Sequence, residues 1–175
     1  MKYSIASQCR IGPILILIFL CPPNVAEACT CAPYPDDLDK AVTMAYAQGN
    51  SYFEVDVIFL GDVTAIRNRT NGALAQHEVT FSVRNRWKGS IPDIVSVRTN
   101  DGEIACGYKF KKGNSYLVFA HWDEQQQELV TFMCDLTRSE AKAKDAIGVL
   151  NRLTKRVNSA ARIHKPVIGL RVRPD

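Results

Sequence analysis

Histidine is scarce in this chain. Only His77, His121 and His164 occur among 175 residues, far apart and in no metal-ligand spacing such as H-x-x-x-H. That points away from an enzyme carrying its own zinc. A strong excess of one charge is also missing. The formal net charge is +4, from 22 Lys/Arg against 18 Asp/Glu, too small and too mixed to imply nucleic-acid binding. Glycine and proline, at 10 and 8, are too few for a collagen-like chain, and 46% hydrophobic residues exclude a disordered one. No Ser-His-Asp, Cys-His or paired-carboxylate arrangement is visible, so no enzymatic activity is expected. What remains is a composition suited to one compact domain with its own core.

The first segment has the order of a secretory signal. Lys2 and Arg10 precede the apolar run Ile11 to Leu20, which Gly12 and Pro13 interrupt, and Ala26-Glu27-Ala28 offers a small-x-small cleavage site. Cys21-Pro22-Pro23 ends the run short of the ~20 apolar residues a membrane helix needs, and no second anchor follows. The expectation is a signal peptide over 1–28 and a secreted, extracellular product, periplasmic if the source is a Gram-negative bacterium. A lipoprotein is the competing reading, because Cys29 follows a small residue. Against it, Ala26 stands three before Cys29, where such signals carry leucine.

Cleavage after Ala28 would remove Cys9 and Cys21 and leave Cys29, Cys31, Cys106 and Cys134. An even count in an exported chain reads as two disulfides, with three possible pairings. A Cys29–Cys31 bond would close a strained, tiny ring, which favours a distant partner for each.

A helix is expected over Asp36 to Gly49, with Leu38, Ala41, Met44 and Ala45 at helical spacing. Strands are expected over Phe53 to Ile66, His77 to Trp87, Ile94 to Thr99, Ala105 to Phe110, Ser115 to Trp122 and Leu129 to Cys134. In the first, Val55, Val57 and Phe59 should share a face. In the second, Val79, Phe81, Val83 and Trp87 should do so. Thr137 and Glu140 have capping-box spacing before a helix with Ala143, Ala146, Ile147, Leu150 and Leu153 on one face. The resulting divisions are a β domain over 29–137, an amphipathic helix over 138–156 packed on it, and a basic tail over 157–175 without helical pattern. Asn68-Arg69-Thr70 is a glycosylation sequon that also reads as a polar turn before Asn71-Gly72. The fold class is mainly β: a closed five-stranded Greek-key barrel of the OB type with flanking helices, or a sandwich.

The most informative segment is Cys29-Thr30-Cys31-Ala32-Pro33. Cleavage before Cys29 would free an α-amine, whose reference pKa of about 7.7–8.0 leaves a neutral, metal-binding fraction near pH 7. Amine and adjacent carbonyl can form a five-membered chelate. A catalytic zinc keeps one coordination position open for water. A residue chelated there would displace that water and block hydrolysis.

This N-terminus resembles that of the tissue inhibitors of metalloproteinases. Glu103-Ile104-Ala105-Cys106-Gly107-Tyr108 resembles their approach to Cys-Gly-Tyr, and Tyr116 to Ala120 followed by Leu129 to Cys134 resembles their paired strands ending in cysteine. Val55 to Phe59 stands where the family has its first long strand. The similarity spans about Cys29 to Thr137, the netrin-like module. It implies an OB-type barrel with Cys29–Cys106 and Cys31–Cys134 disulfides. It also implies that Cys29 chelates the target protease's zinc, that Thr30 enters the main specificity pocket, and that Cys29, Thr30, Cys31, Ala32, Glu103 and Ile104 form the protease-binding surface. The implied partners are zinc metalloproteinases, bound by a monomer with no cofactor of its own. Vertebrate members have a third disulfide in this module and a disulfide-rich C-terminal domain. Here no cysteine lies in the Asp36 to Gly49 helix, and one helix and a basic tail follow the module. The alternative function is a netrin-like extracellular binding module without inhibitory activity.

Overall fold

The computed structural model describes residues 29, 31, 34–47, 55–71, 74–102 and 106–163. The signal-like segment and the end of the tail lie outside them. Helix α1 spans Leu38–Tyr46. Six strands follow: β1 Val57–Asn71, β2 Leu74–Lys88, β3 Ile94–Asn100, β4 Ser115–Asp123, β5 Glu128–Val130 and β6 Arg138–Ser139. A 3₁₀ turn over Glu140–Lys142 leads into α2, Lys144–Ile163. The protein is mainly β, as expected. Strands β1-β2-β3-β5-β4 run in that order and β4 pairs again with β1, closing a ring of five. All pairings are antiparallel except β3–β5.

Two apolar cores explain the sequence pattern. One lies inside the ring and includes Val57, Phe59, Phe81, Val97 and Val118. The other lies between the ring and both helices and includes Ile58, Leu117, Phe119, Val42, Ala45, Ala146 and Leu150. Successive residues of Val57–Leu60 in β1 and Tyr116–Ala120 in β4 point to opposite faces and both faces are covered. These stretches therefore read as continuous apolar runs.

Several boundaries differ from expectation, each for a physical reason. The β1–β2 register skips Thr64, Arg84 and Trp87, so each is the extra residue of a β-bulge. The bulge turns Trp87 away from Val79 and Phe81 into the helix-covered core, where its Nε1 donates to Asn151 Oδ1 at 2.8 Å. Val55, just before β1, joins the same core rather than sharing the ring interior with Val57 and Phe59. β1 runs past Ile66 through a polar stretch, which places Asn68 to Thr70 in a strand, not a turn. Of Leu129 to Cys134, only Leu129 and Val130 belong to β5, and in Ala105 to Phe110 the described pairing is the single Gly107–Phe132 bridge.

Thr137 does not cap a helix. Its Oγ1 is buried, accepts from Phe119 N at 2.9 Å and lies 3.0 Å from Thr131 Oγ1, filling a gap beside β4 just past its pairing with β6. Helix α2 also continues beyond residue 156 into the expected tail. Residues 157–160 are exposed and show no apolar period, but extending an existing helix needs no new nucleus. Lys88 Nζ donates to the Ala45 and Ala47 carbonyls at 3.3 and 2.9 Å, closing the end of α1. Gly89 has φ +78° and abuts Asp56 O, and β2 ends just before it at Lys88, one residue past the expected Trp87.

Candidate functional site

Two disulfides join Cys29 to Cys106 and Cys31 to Cys134, the pairing the resemblance implied. They close separations of 77 and 103 residues. Their far ends lie together. Met133 N donates to Cys106 O at 2.9 Å, and Gly107 pairs with Phe132. The two cystines thus fix Cys29 and Cys31 to one hydrogen-bonded corner of the ring.

The corner is built by local backbone requirements. Cys106 adopts φ +58°, a left-handed conformation that costs a non-glycine residue about 1–2 kcal/mol. Gly107 then packs so closely on Asn100 that a Cβ would stand 1.7 Å from its carbonyl oxygen. Only glycine fits. On the other side Asp135 shapes the turn after Thr131. Its Oδ2 accepts from Phe132 N at 2.7 Å and Thr131 Oγ1 at 3.1 Å, while Oδ1 lies 3.2 Å from His121 Nε2.

Tyr34 supplies a third anchor, packing against the core under the helices. Burial, and secondarily the Asp135 carboxylate, push its phenol up to about 12. Three attachments within six residues, at 29, 31 and 34, hold the segment down. Cys29 is half-buried and Cys31 exposed. Thr30, Ala32, Glu103 and Ile104 lie outside the described residues. The flanking Cys106 and Gly102 bracket the last two. Sequence reasoning missed Tyr34, His121, Thr131 and Asp135. No spacing marks them, because the turn that gathers them exists only once Cys134 is placed.

Among the described residues, no three His, Cys, Asp or Glu side chains gather as a metal site. Among them too, no helix is long and apolar enough to cross a membrane. No protein-family model matches this sequence, and no curated protein matches it either.

Proposed function

We propose that this chain is an exported inhibitor of zinc metalloproteinases that caps the target's catalytic zinc with the Cys29 α-amine and carbonyl. The observation that carries the reading is the double clamp: both disulfides anchor Cys29 and Cys31 to adjacent turns that are hydrogen-bonded to each other. A segment ordered before binding avoids the entropy that a flexible peptide loses at an interface. Chelation also requires removal of residues 1–28, so that the Cys29 nitrogen is an amine and not an amide.

The test compares three forms of the mature protein: native, extended by one alanine before Cys29, and acetylated on the α-amine. The extension moves the amine by about 3.8 Å, more than a metal–nitrogen bond of about 2.0–2.1 Å. Inhibition of a panel of zinc proteases should fall at least a hundredfold in both altered forms, with thermal unfolding unchanged. N-terminal sequencing of the exported protein should begin at Cys29. Equal inhibition by all three forms, or a lipidated terminus, overturns the chelation mechanism. It would leave a non-inhibitory binding module as the better account.

A further inference from the structure

Helix α2 carries its apolar face past the body that covers it. Ala146, Val149 and Leu150 are buried in the helix-covered core, and Leu153 packs against that core half-buried. Val157, the next residue on the same face, is 54% exposed. A groove of about 560 Å³ lies beside it. Its walls include Thr43 and Tyr46 of α1, Trp87 near the end of β2, and Leu153 and Val157 of α2. Trp87 belongs to the helix-covered core, and Tyr46 and Leu153 pack against it, so the groove borders that core directly.

The sequence supplies a segment that fits. Helix α2 is described to Ile163, and the chain runs on to Asp175. Pro166 has no N–H and disfavours helix at the residue before it, which stops or kinks a helix there. Beyond Pro166, Ile168, Leu170 and Val172 alternate with Gly169, Arg171 and Arg173. In an extended chain that alternation puts the three aliphatic side chains on one edge and both arginines on the other. The reach also matches. Val157 and Leu153 lie about 9 and 15 Å back along the helix axis from Ile163, at about 1.5 Å per residue. An extended chain advances about 3.3 Å per residue, so Ile168, Leu170 and Val172 stand about 7, 13 and 20 Å from Pro166. A reversal at Pro166 brings them over the groove. Covering Val157 takes apolar surface out of water, which favours the contact.

We propose that residues 167–173 fold back along α2 as an extended strap, with Ile168, Leu170 and Val172 seated against Tyr46, Trp87, Leu153 and Val157. The contact does not depend on the protease-inhibitor reading. The test uses the mature protein, residues 29–175, and a form ending at Ile163, both isotope-labelled for NMR. In the full form, methyl groups of Ile168, Leu170 and Val172 should show nuclear Overhauser contacts to the Tyr46 and Trp87 rings at every protein concentration. Amides of residues 157–163 should exchange with solvent at least tenfold more slowly than in the shortened form. Ile168→Asp/Leu170→Asp in the full chain should remove the ring contacts and bring that exchange to the shortened form's rate. Unchanged amide shifts in the ring core would report that the variant is folded. Random-coil shifts throughout 164–175, or exchange that the double substitution does not alter, overturn the proposal. Contacts from Tyr52 or Phe53 to Leu153 and Val157 would assign the groove to residues 48–54 instead. Contacts seen only between differently labelled copies would assign it to a second molecule. Either result also overturns the strap.

Discussion

At the scale of single residues, the clamped terminus joins strong local constraints to one candidate contact residue. Thr30 stands between the two cystines in sequence, and the protease-inhibitor reading assigns it to the target's specificity pocket. Thr30→Gly should weaken inhibition of deep-pocket proteases tenfold or more, since buried central contacts carry most interface energy. Thermal unfolding should hardly move. Unchanged inhibition constants across several such proteases would remove Thr30 from the interface. Tyr34 gives a second prediction, with a definite sign. Its folded-state pKa is raised from 10.0 to about 12, by burial first and by Asp135 second. The protonated phenol therefore favours the folded state. That contribution is complete below pH 10 and is lost as pH rises from 10 to 12. Urea unfolding of the native protein and of Tyr34→Phe, measured from pH 8 to 12, should show a stability difference that is flat to about pH 9.5 and then shifts toward the variant. A difference constant through pH 12 would contradict the raised pKa.

At the scale of elements, α2 matters most for the helix-covered core. It presents Ala146, Val149 and Leu150 to that core and reaches the ring through the Trp87–Asn151 hydrogen bond. Trp87 is 8% exposed, so its N–H has little access to water if Asn151 is lost. Asn151→Leu should destabilise the protein by about 1–3 kcal/mol, the range for a buried donor left unmade. Asn151→Asp, which keeps an acceptor, should recover most of it. Urea unfolding followed by tryptophan fluorescence would measure both, and equal stability of the two variants would mean the bond does not couple helix to ring. On the opposite flank Arg98, 8% exposed, donates to both Asp123 and Glu128 at 2.5 Å, tying β3 to the β4–β5 turn. The short β5 is thus joined to its neighbours by side chains as well as by its few backbone pairs.

At the scale of the whole molecule, the disulfides close long loops across a ring that also has two cores of its own. Removing Cys31–Cys134 as the Cys31→Ser/Cys134→Ser pair should therefore lower stability by about 2–5 kcal/mol without dissolving the β structure. Far-ultraviolet circular dichroism should remain close to native at 20 °C. Inhibition should fall more than tenfold, because one of three anchors on the terminal segment is gone. Full inhibition by this variant would show that the second clamp serves folding alone.

The sequence by itself determined the strand-rich class, the amphipathic faces of both helices and the special standing of the four cysteines after Ala28. These rest on periodicity, composition and position, which are local properties. The resemblance through Cys29-Thr30-Cys31 and Cys106-Gly107-Tyr108 supplied the pairing that spacing left open. Tertiary structure decided the rest. Bulges at Thr64, Arg84 and Trp87 reassigned faces that strict alternation placed elsewhere, because one extra residue inverts the pleat. Thr137 exchanged a cap for a buried bond to β4, since a hydroxyl satisfies whichever backbone group the packing leaves beside it. The corner that gathers Cys106, Phe132, Met133 and Asp135 joins segments about 26 or more positions apart. No local pattern encodes such a meeting; only closure of the ring brings it about.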